Sequence, residues 1–366
     1  MRLHSCLIIL TQNCNLRCKF CFEGCTSNKI AGRMSKETLF KALNWISKEA
    51  KNVRPIDIGW FGGEPLLELN SIIEAMKLMD KFNKNLKGVF QNSNKFNVSF
   101  FTNGILLNSK TLSELEPFKY MIKSIRVSCE GFTFEENKER FKTEKIFNIW
   151  KNNLNQALIN GFPLTIASVI TKENYKTNGD SLISFSKIGV RSFDGCFLVR
   201  TKEMVDSKFW ENSEVIKWYY DNQKKFFEYL KQNNRENDYF FYRLYNSPQC
   251  NETCLLCEKS IVIDYDGALY PCARFATQKK HSNYKIGSIF DGIKKTDIWN
   301  KIKQFKLEDY KSVCKVDVDP ISICQGFNQE INDSINIPVM TYNIYGLINK
   351  YVFSNRYSKE LEKYGI

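Results

Sequence analysis

Short apolar runs alternate with amphipathic stretches along the first two hundred residues. Leu3–Leu10 is a short apolar run that reads as a buried strand. Thr11–Cys25 follows as a cysteine-rich loop. Ser35 is an expected N-cap, with Leu39, Ala42, Leu43 and Ile46 behind it at helical spacing. Ile56–Phe61 predicts a second strand that closes on Gly62 and Gly63, and Ile72, Ile73, Met76 and Met79 mark the next helix. Further strands are expected over Asn97–Thr102, Ser124–Cys129, Leu164–Ile170 and Ser192–Val199. Helices are expected over Lys110–Leu115, Glu144–Ile159 and Asp180–Lys187, with Gly161 as the stop signal after the second of these.

Six such alternations imply parallel strands joined by right-handed crossovers. The expected fold class is α/β, a partial (β/α)6 barrel over residues 1–204. In such folds chemistry gathers at the C-terminal ends of strands. The cysteine loop, Gly62–Glu64, Thr102–Gly104 and Ser128 all follow predicted strand ends, which points to one shared site. Residues 205–249 read as a helical bridge, built on the charged and aromatic stretch Asn212–Lys231. A small C-terminal domain is expected over 250–330, where cysteines cluster and Asp266–Gly267 sets a tight turn between Ile261–Tyr265 and Ala268–Tyr270. The last segment, 331–366, is expected to be helical over 341–364.

Composition narrows the chemistry. Thirteen cysteines in 366 residues, with no apolar run near the N-terminus longer than Cys6–Leu10, argue for a cytoplasmic protein without a membrane span. Clustered cysteines in a reducing compartment read as metal ligands or reactive thiols. Two histidines, His4 and His281, argue against histidine-rich metal sites. The net charge of +13 reflects lysine spread along the whole chain, and no basic–aromatic tract singles out nucleic acid as a partner.

Cys14, Cys18 and Cys21 place three thiols within eight residues of loop, so they can converge on one iron–sulfur cluster and leave one iron open. Cys25 lies just outside this group and reads as a bystander or a pocket thiol rather than a ligand. Cys6, Cys129 and Cys196 sit in apolar strands, where core packing is the default.

The CxxxCxxC loop after a first strand resembles that of the radical S-adenosylmethionine (SAM) superfamily. The resemblance implies a [4Fe–4S] cluster on Cys14, Cys18 and Cys21, with SAM chelating the open iron. Reductive cleavage of SAM would then yield a 5′-deoxyadenosyl radical that abstracts hydrogen from substrate. An electron donor of flavodoxin or ferredoxin type is implied as a partner. Gly62-Gly63-Glu64-Pro65 resembles the family's GGEP segment, which receives the SAM amino group, and Thr102-Asn103-Gly104 resembles its TNG strand end. By the same resemblance Ser128 and Arg140 would bind SAM, and Phe20 and Leu198 would contact adenine.

In the tail, Cys257, nine residues, Gly267, four residues and Cys272 resemble the opening of a SPASM iron–sulfur domain. Six tail cysteines are available for an auxiliary cluster: Cys250, Cys254, Cys257, Cys272, Cys314 and Cys324. They suffice for one auxiliary [4Fe–4S] cluster, with Cys257 and Cys272 joined by Cys250 or Cys254 and by Cys324 or Cys314. A zinc site on the same thiols is the alternative. Asp317 and Asn328 stand near where further cysteines would be expected. The resemblance implies a peptide maturase that crosslinks, epimerises or oxidises a ribosomally made peptide. A small-molecule substrate and a sulfatase-maturing activity are the alternatives. Sulfatase maturases carry a catalytic Asp directly after the cysteine of the Tyr-Pro-Cys segment, where this chain has Ala273 and then Arg274.

Overall fold

The computed structural model describes residues 3–23, 32–50, 55–87, 96–194, 197–198, 208–247, 259–277, 284–294, 297–304 and 343–366. In chain order the elements are β1 (Ser5–Thr11), α1 (Lys36–Glu49), β2 (Ile56–Gly62), α2 (Leu69–Lys87), β3 (Phe96–Thr102), α3 (Ser109–Leu115), β4 (Ile122–Ser128), α4 (Phe134–Phe141), α5 (Glu144–Ile159), β5 (Leu164–Ala167), β6 (Val169–Ile170) and α6 (Asn178–Lys187). They continue as β7 (Phe197–Leu198), α7 (Ser213–Gln232), α8 (Phe240–Tyr245), β8 (Ser260–Ile263), β9 (Ala268–Tyr270), α9 (Ala273–Thr277), β10 (Gly287–Ser288), β11 (Gly292–Ile293), α10 (Asp297–Gln304) and α11 (Asn343–Ser354). No helix among the described residues is long and apolar enough to cross a membrane.

The chain groups into two compact units. The first comprises Met1–Ser128, Thr143–Leu164 and Leu255–Gln304. Its sheet runs β11-β10-β9-β8-β1-β2-β3-β4. β8, β1, β2, β3 and β4 pair in parallel, while β9, β10 and β11 add antiparallel strands beyond β8. The expected α/β class with a parallel core is therefore present. The hairpin of the tail is continuous with this sheet: Ser260–Ile263 lies beside Ser5–Ile8 in register. Helices cover one face. Ser35 caps α1 by accepting from Thr38 N at 3.0 Å. Asn83 of α2 closes on the Phe96 backbone with two hydrogen bonds. Thr143 caps α5, whose Trp150 is fully buried.

The second unit comprises Cys129–Lys142, Thr165–Cys254 and Phe305–Ile366. Phe193, Phe226, Tyr239 and Phe353 build an aromatic core with ring centroids near 5.1 Å apart. Asn222 of α7 accepts from the Gly179 amide of α6 at 2.9 Å, and Tyr219 of α7 donates to Asn349 of α11 at 2.8 Å.

Several predicted bounds change. Leu164–Ile170 is two strands broken at Ser168, which accepts from Asn178 Nδ2 at 3.2 Å. β4 ends at Ser128, so Cys129 lies beyond it and is fully buried. Of Ser192–Val199, Phe193 makes isolated bridges and only Phe197–Leu198 forms a described strand, parallel to β6. The C-terminal helix stops at Ser354, because Asn355 takes the left-handed conformation (φ 54°) that closes helices. Residues 359–364 then form a 3-10 turn. α4 has no counterpart among the predicted elements.

Candidate functional site

The cysteine loop leaves β1 and is held at its start by backbone contacts. Gly63 N donates to Thr11 O at 2.9 Å, and Glu64 N donates to Asn13 O at 2.8 Å. Only glycine permits this crossing: a Cβ on Gly62 would lie 2.2 Å from Thr11 O, and one on Gly63 2.2 Å from Asn13 O. Gly62 also has φ +131°, which side-chain-bearing residues rarely adopt. Leu16 is buried and anchors the middle of the loop. Arg17 Nη1 ties it further by donating to Cys14 O at 2.5 Å and Leu16 O at 2.8 Å.

The three cysteines share this loop. Cys18 is buried, and Cys14 and Cys21 are half-buried. Leu16 N donates to Cys14 Sγ at 3.4 Å, and Asn103 Nδ2 approaches the same sulfur at 3.7 Å. Donors directed at sulfur suit a thiolate ligand. No group of three or more His, Cys, Asp or Glu among the described residues is arranged to hold a single metal ion. In a four-iron cluster each thiolate takes its own iron, so the donor set fits a cluster better than an ion.

Glu64 braces the site from beneath. It is fully buried, and its Oε1 accepts from Leu66 N at 3.0 Å and Thr102 Oγ1 at 2.8 Å, while Oε2 accepts from Asn103 N at 2.8 Å. The carboxylate thus joins the ends of β2 and β3. Burial pushes its pKa up to about 7, against the pull of the Asn103, Leu66 and Thr102 hydrogen bonds. Asn103 Nδ2 donates to Asn15 Oδ1 at 2.7 Å, which links the TNG segment to the cysteine loop. Gly104, at φ +81°, packs where a Cβ would meet Trp150 at 2.9 Å.

The match to family profiles decides what this loop belongs to. The profile of the radical SAM superfamily matches residues 8–182, and that of the SPASM iron–sulfur cluster-binding domain matches 254–325. The chain belongs to the radical SAM superfamily.

As a radical SAM enzyme with a SPASM domain, it carries a SAM-binding [4Fe–4S] cluster, SAM itself and an auxiliary iron–sulfur cluster. No curated protein matches the chain in sequence. Among solved structures it is similar to anSMEcpe, described with bound AdoMet and Cp18Cys peptide. That pair shares 18% identity over 96% of each chain, with a TM-score of 0.69. It is also similar to Streptococcus suis SuiB bound to its precursor peptide SuiA: 15% identity, 85% of this chain, 69% of that one, TM-score 0.55. At these identities the likeness is one of fold.

The remaining predicted residues fall as follows. Phe20 is half-buried on the cysteine loop, and Ser128 ends β4, one residue past the Thr102–Val127 pair. Arg140, in α4 of the second unit, is nearly buried and grips Glu130 with two hydrogen bonds, Nε to Oε2 at 2.7 Å and Nη2 to Oε1 at 2.6 Å. Burial raises the Glu130 pKa, and Arg140 pulls it back. The backbone of Leu198 pairs with Ile170, while its side chain lies outside the described residues. So do Cys25, Cys196, Cys250, Cys254, Cys257, Cys314, Cys324, Asp317 and Asn328. Cys272 is half-buried, and its carbonyl accepts from Phe275 and Ala276 at the start of α9. Burial raises the Cys6 thiol pKa far above its ordinary value, as a core thiol requires.

Three groups take places at the site that the sequence alone did not assign to them. Asn103 reaches the cluster loop from within the TNG segment. Glu23 is raised well above the carboxylate range, first by burial and then by the negative charge of Cys21, Cys14, Asp264 and Glu64. Arg274 lies with its guanidinium 4.8 Å from the centroid of Phe22, next to Cys21. The signal for Asn103 was present in the motif itself, while Glu23 and Arg274 gave none in sequence.

Proposed function

We propose that this enzyme modifies a ribosomally made peptide, with Cys14, Cys18 and Cys21 holding the SAM-binding cluster. The observation that carries the cluster assignment is the loop itself: three cysteines beyond β1, clamped by the Gly62–Gly63 backbone, with Leu16 N and Asn103 Nδ2 directed at Cys14. When bound, the cluster and SAM together supply the reducing electron and the hydrogen-abstracting deoxyadenosyl group. The chain's residues orient and enclose them. Gly62 and Gly63 offer backbone to the SAM amino group and Glu64 fixes their position. Ser128 and Arg140 serve the carboxylate and ribose end, and Phe20 and Leu198 the adenine. An auxiliary cluster draws on Cys257 and Cys272, with Cys250 or Cys254 and Cys314 or Cys324.

The peptide class is favoured by the SPASM match together with the fold shared with SuiB, which was solved with its precursor peptide. Ala273, the first residue of α9, has no group that could move a proton, so a sulfatase peptide is not the substrate we propose. The electron donor is of flavodoxin or ferredoxin type, and a reducing cytoplasm suits the thiols. Residues 1–204 and 250–330 are proposed as the SAM-cleaving and auxiliary-cluster regions, bridged by 205–249 and closed by 331–366. The test is anaerobic incubation with SAM and reductant, once with a short peptide encoded beside the gene and once with a sulfatase peptide. Mass spectrometry in deuterated solvent should show a mass change on the adjacent peptide alone. Efficient formylglycine formation on the sulfatase peptide would overturn the proposal.

A further inference from the structure

The chain leaves β1 for the cysteine loop and returns to it at Gly32, and the two limbs are tied at a neck. Gln12 N donates to Gly32 O at 2.9 Å, Thr11 Oγ1 donates to the same carbonyl at 3.2 Å, and Gly32 N donates to Gln12 Oε1 at 3.4 Å. Next along, Arg33 forms a β-bridge with Thr11, and Met34 N donates to Leu10 O at 2.8 Å. Thr11 Oγ1 also accepts from Asn13 N at 3.1 Å, so the neck reaches the residue before Cys14.

A residue of the tail packs on this neck. A Cβ on Gly32 would lie 2.1, 2.2 and 2.3 Å from Cζ, Cε2 and Cε1 of Tyr265. The Gly32 backbone is not left-handed, so its φ does not demand glycine. What leaves no room for a side chain is the tip of the Tyr265 ring against the Gly32 backbone. Tyr265 is itself firmly rooted. It follows β8, which pairs in register with Ser5–Ile8 of β1. Its amide donates to Oδ1 of the buried Asp264 at 2.8 Å. The turn behind it closes through Gly267 N to Asp264 O and Asp264 N to Ala268 O, both at 2.9 Å. Farther along, α9 touches the loop a second time, where the Arg274 guanidinium carbon lies 4.8 Å from the centroid of Phe22, next to Cys21. All these residues belong to the first unit. Three thiolates can share one cluster only if the loop that carries them keeps one path. The ring of Tyr265 restricts that path at its base.

We infer that Tyr265 is a positioning residue of the SAM site: packed on Gly32, it fixes the neck of the cysteine loop and through it Cys14, Cys18 and Cys21. This rests on the reading that these three cysteines hold the SAM-binding cluster. The test uses the full chain, reconstituted anaerobically with both clusters. EPR of the reduced enzyme with and without SAM identifies the cluster that SAM binds. Equilibrium dialysis gives the SAM dissociation constant, and a ferrous chelator gives the rate of iron loss from each cluster. Tyr265→Ala should weaken SAM binding about tenfold and speed iron loss from the SAM-site cluster by a similar factor, with the tail cluster unchanged. Tyr265→Phe keeps the ring and should behave as wild type. Gly32→Ala displaces the ring and should reproduce Tyr265→Ala. The double variant Gly32→Ala/Tyr265→Ala should be no worse than either single one, because all three lack the same contact. If the Ala variants do not fold, Tyr265→Leu takes their place, since it keeps an apolar side chain but not the ring tip. Wild-type SAM affinity and iron loss in folded Tyr265→Ala or Tyr265→Leu would overturn the inference. So would single effects that multiply in the double variant, or equal loss of both clusters, which would make Tyr265 a support of the tail alone. If the wild type itself forms no 5′-deoxyadenosine, the cluster reading falls, and this inference with it.

Discussion

Gly63→Ala tests whether the GGEP backbone positions the cysteine loop. The new Cβ would lie 2.2 Å from Asn13 O, 2.6 Å from Asn13 C and 2.8 Å from Gln12 O. All three are backbone atoms, so no side-chain rotation relieves the clash. Asn13 is the residue before Cys14, and its carbonyl must retreat by roughly 0.8 Å to reach even 3.0 Å. That movement strains the two hydrogen bonds of the crossing, Gly63 N to Thr11 O and Glu64 N to Asn13 O. Leaving an amide unsatisfied away from water costs about 1–3 kcal/mol, so with two bonds strained the variant should lose roughly 2–6 kcal/mol. Because the loop moves with Asn13, the SAM-site cluster should be lost first. Iron and sulfide analysis after anaerobic reconstitution should show about half the wild-type iron, and thermal melting should fall by several degrees. Wild-type iron content at an unchanged melting temperature would refute the reasoning.

Three other perturbations follow from the same geometry. Asp264, buried, is raised from 3.8 to about 7, chiefly by desolvation. A carboxyl raised in the folded state contributes stability that is full below its unfolded pKa and lost as pH rises through its folded one. Asp264→Asn should therefore gain on the wild type between pH 4 and pH 7 in thermal melts, and a constant difference across that window would contradict this. Asn103→Leu removes a donor 3.7 Å from Cys14 Sγ. It should lower the reduction potential of the SAM-site cluster in an EPR-monitored titration, since hydrogen bonds to sulfur favour the reduced state. Arg140→Ala strands a buried Glu130 and should cost about 3–5 kcal/mol. In a Glu130→Gln background that penalty is absent. There SAM affinity should still fall about tenfold to a hundredfold by equilibrium dialysis, and an unchanged dissociation constant would leave Arg140 with the Glu130 contact alone.

Local pattern carried the parallel core and its helices, because buried strands and amphipathic helices write their period into adjacent residues. The cysteine loop and the Gly62–Gly63 crossing were legible for a different reason: thiol spacing and backbone contact each demand particular residues. Non-local pairing left no such trace. Ser260–Ile263 lies beside Ser5–Ile8 across some 250 residues of chain, and nothing in either segment names its partner. α4 was missed although Thr133 and Glu136 form a capping box, visible as Thr-x-x-Glu. Five of its eight residues are charged, and its two apolar residues, Phe134 and Phe141, stand at its ends, too few to show a helical period. The Glu130–Arg140 grip depends on that helix and was hidden with it. Asp266–Gly267 was read correctly as a turn, with Gly267 at φ +84° and its amide donating to Asp264 O. The burial of Asp264 is a tertiary property and could not be read there.

The central claim is that Cys14, Cys18 and Cys21 hold the cluster that cleaves SAM, apart from the cluster in the tail. The most direct measurement compares wild type with a variant carrying all three changes to Ala. Both are reconstituted anaerobically and assayed for iron and for 5′-deoxyadenosine after addition of SAM and reductant. The account predicts about eight irons and steady 5′-deoxyadenosine formation for the wild type. For the variant it predicts about four irons and no product. Undiminished SAM cleavage by the triple variant would contradict it.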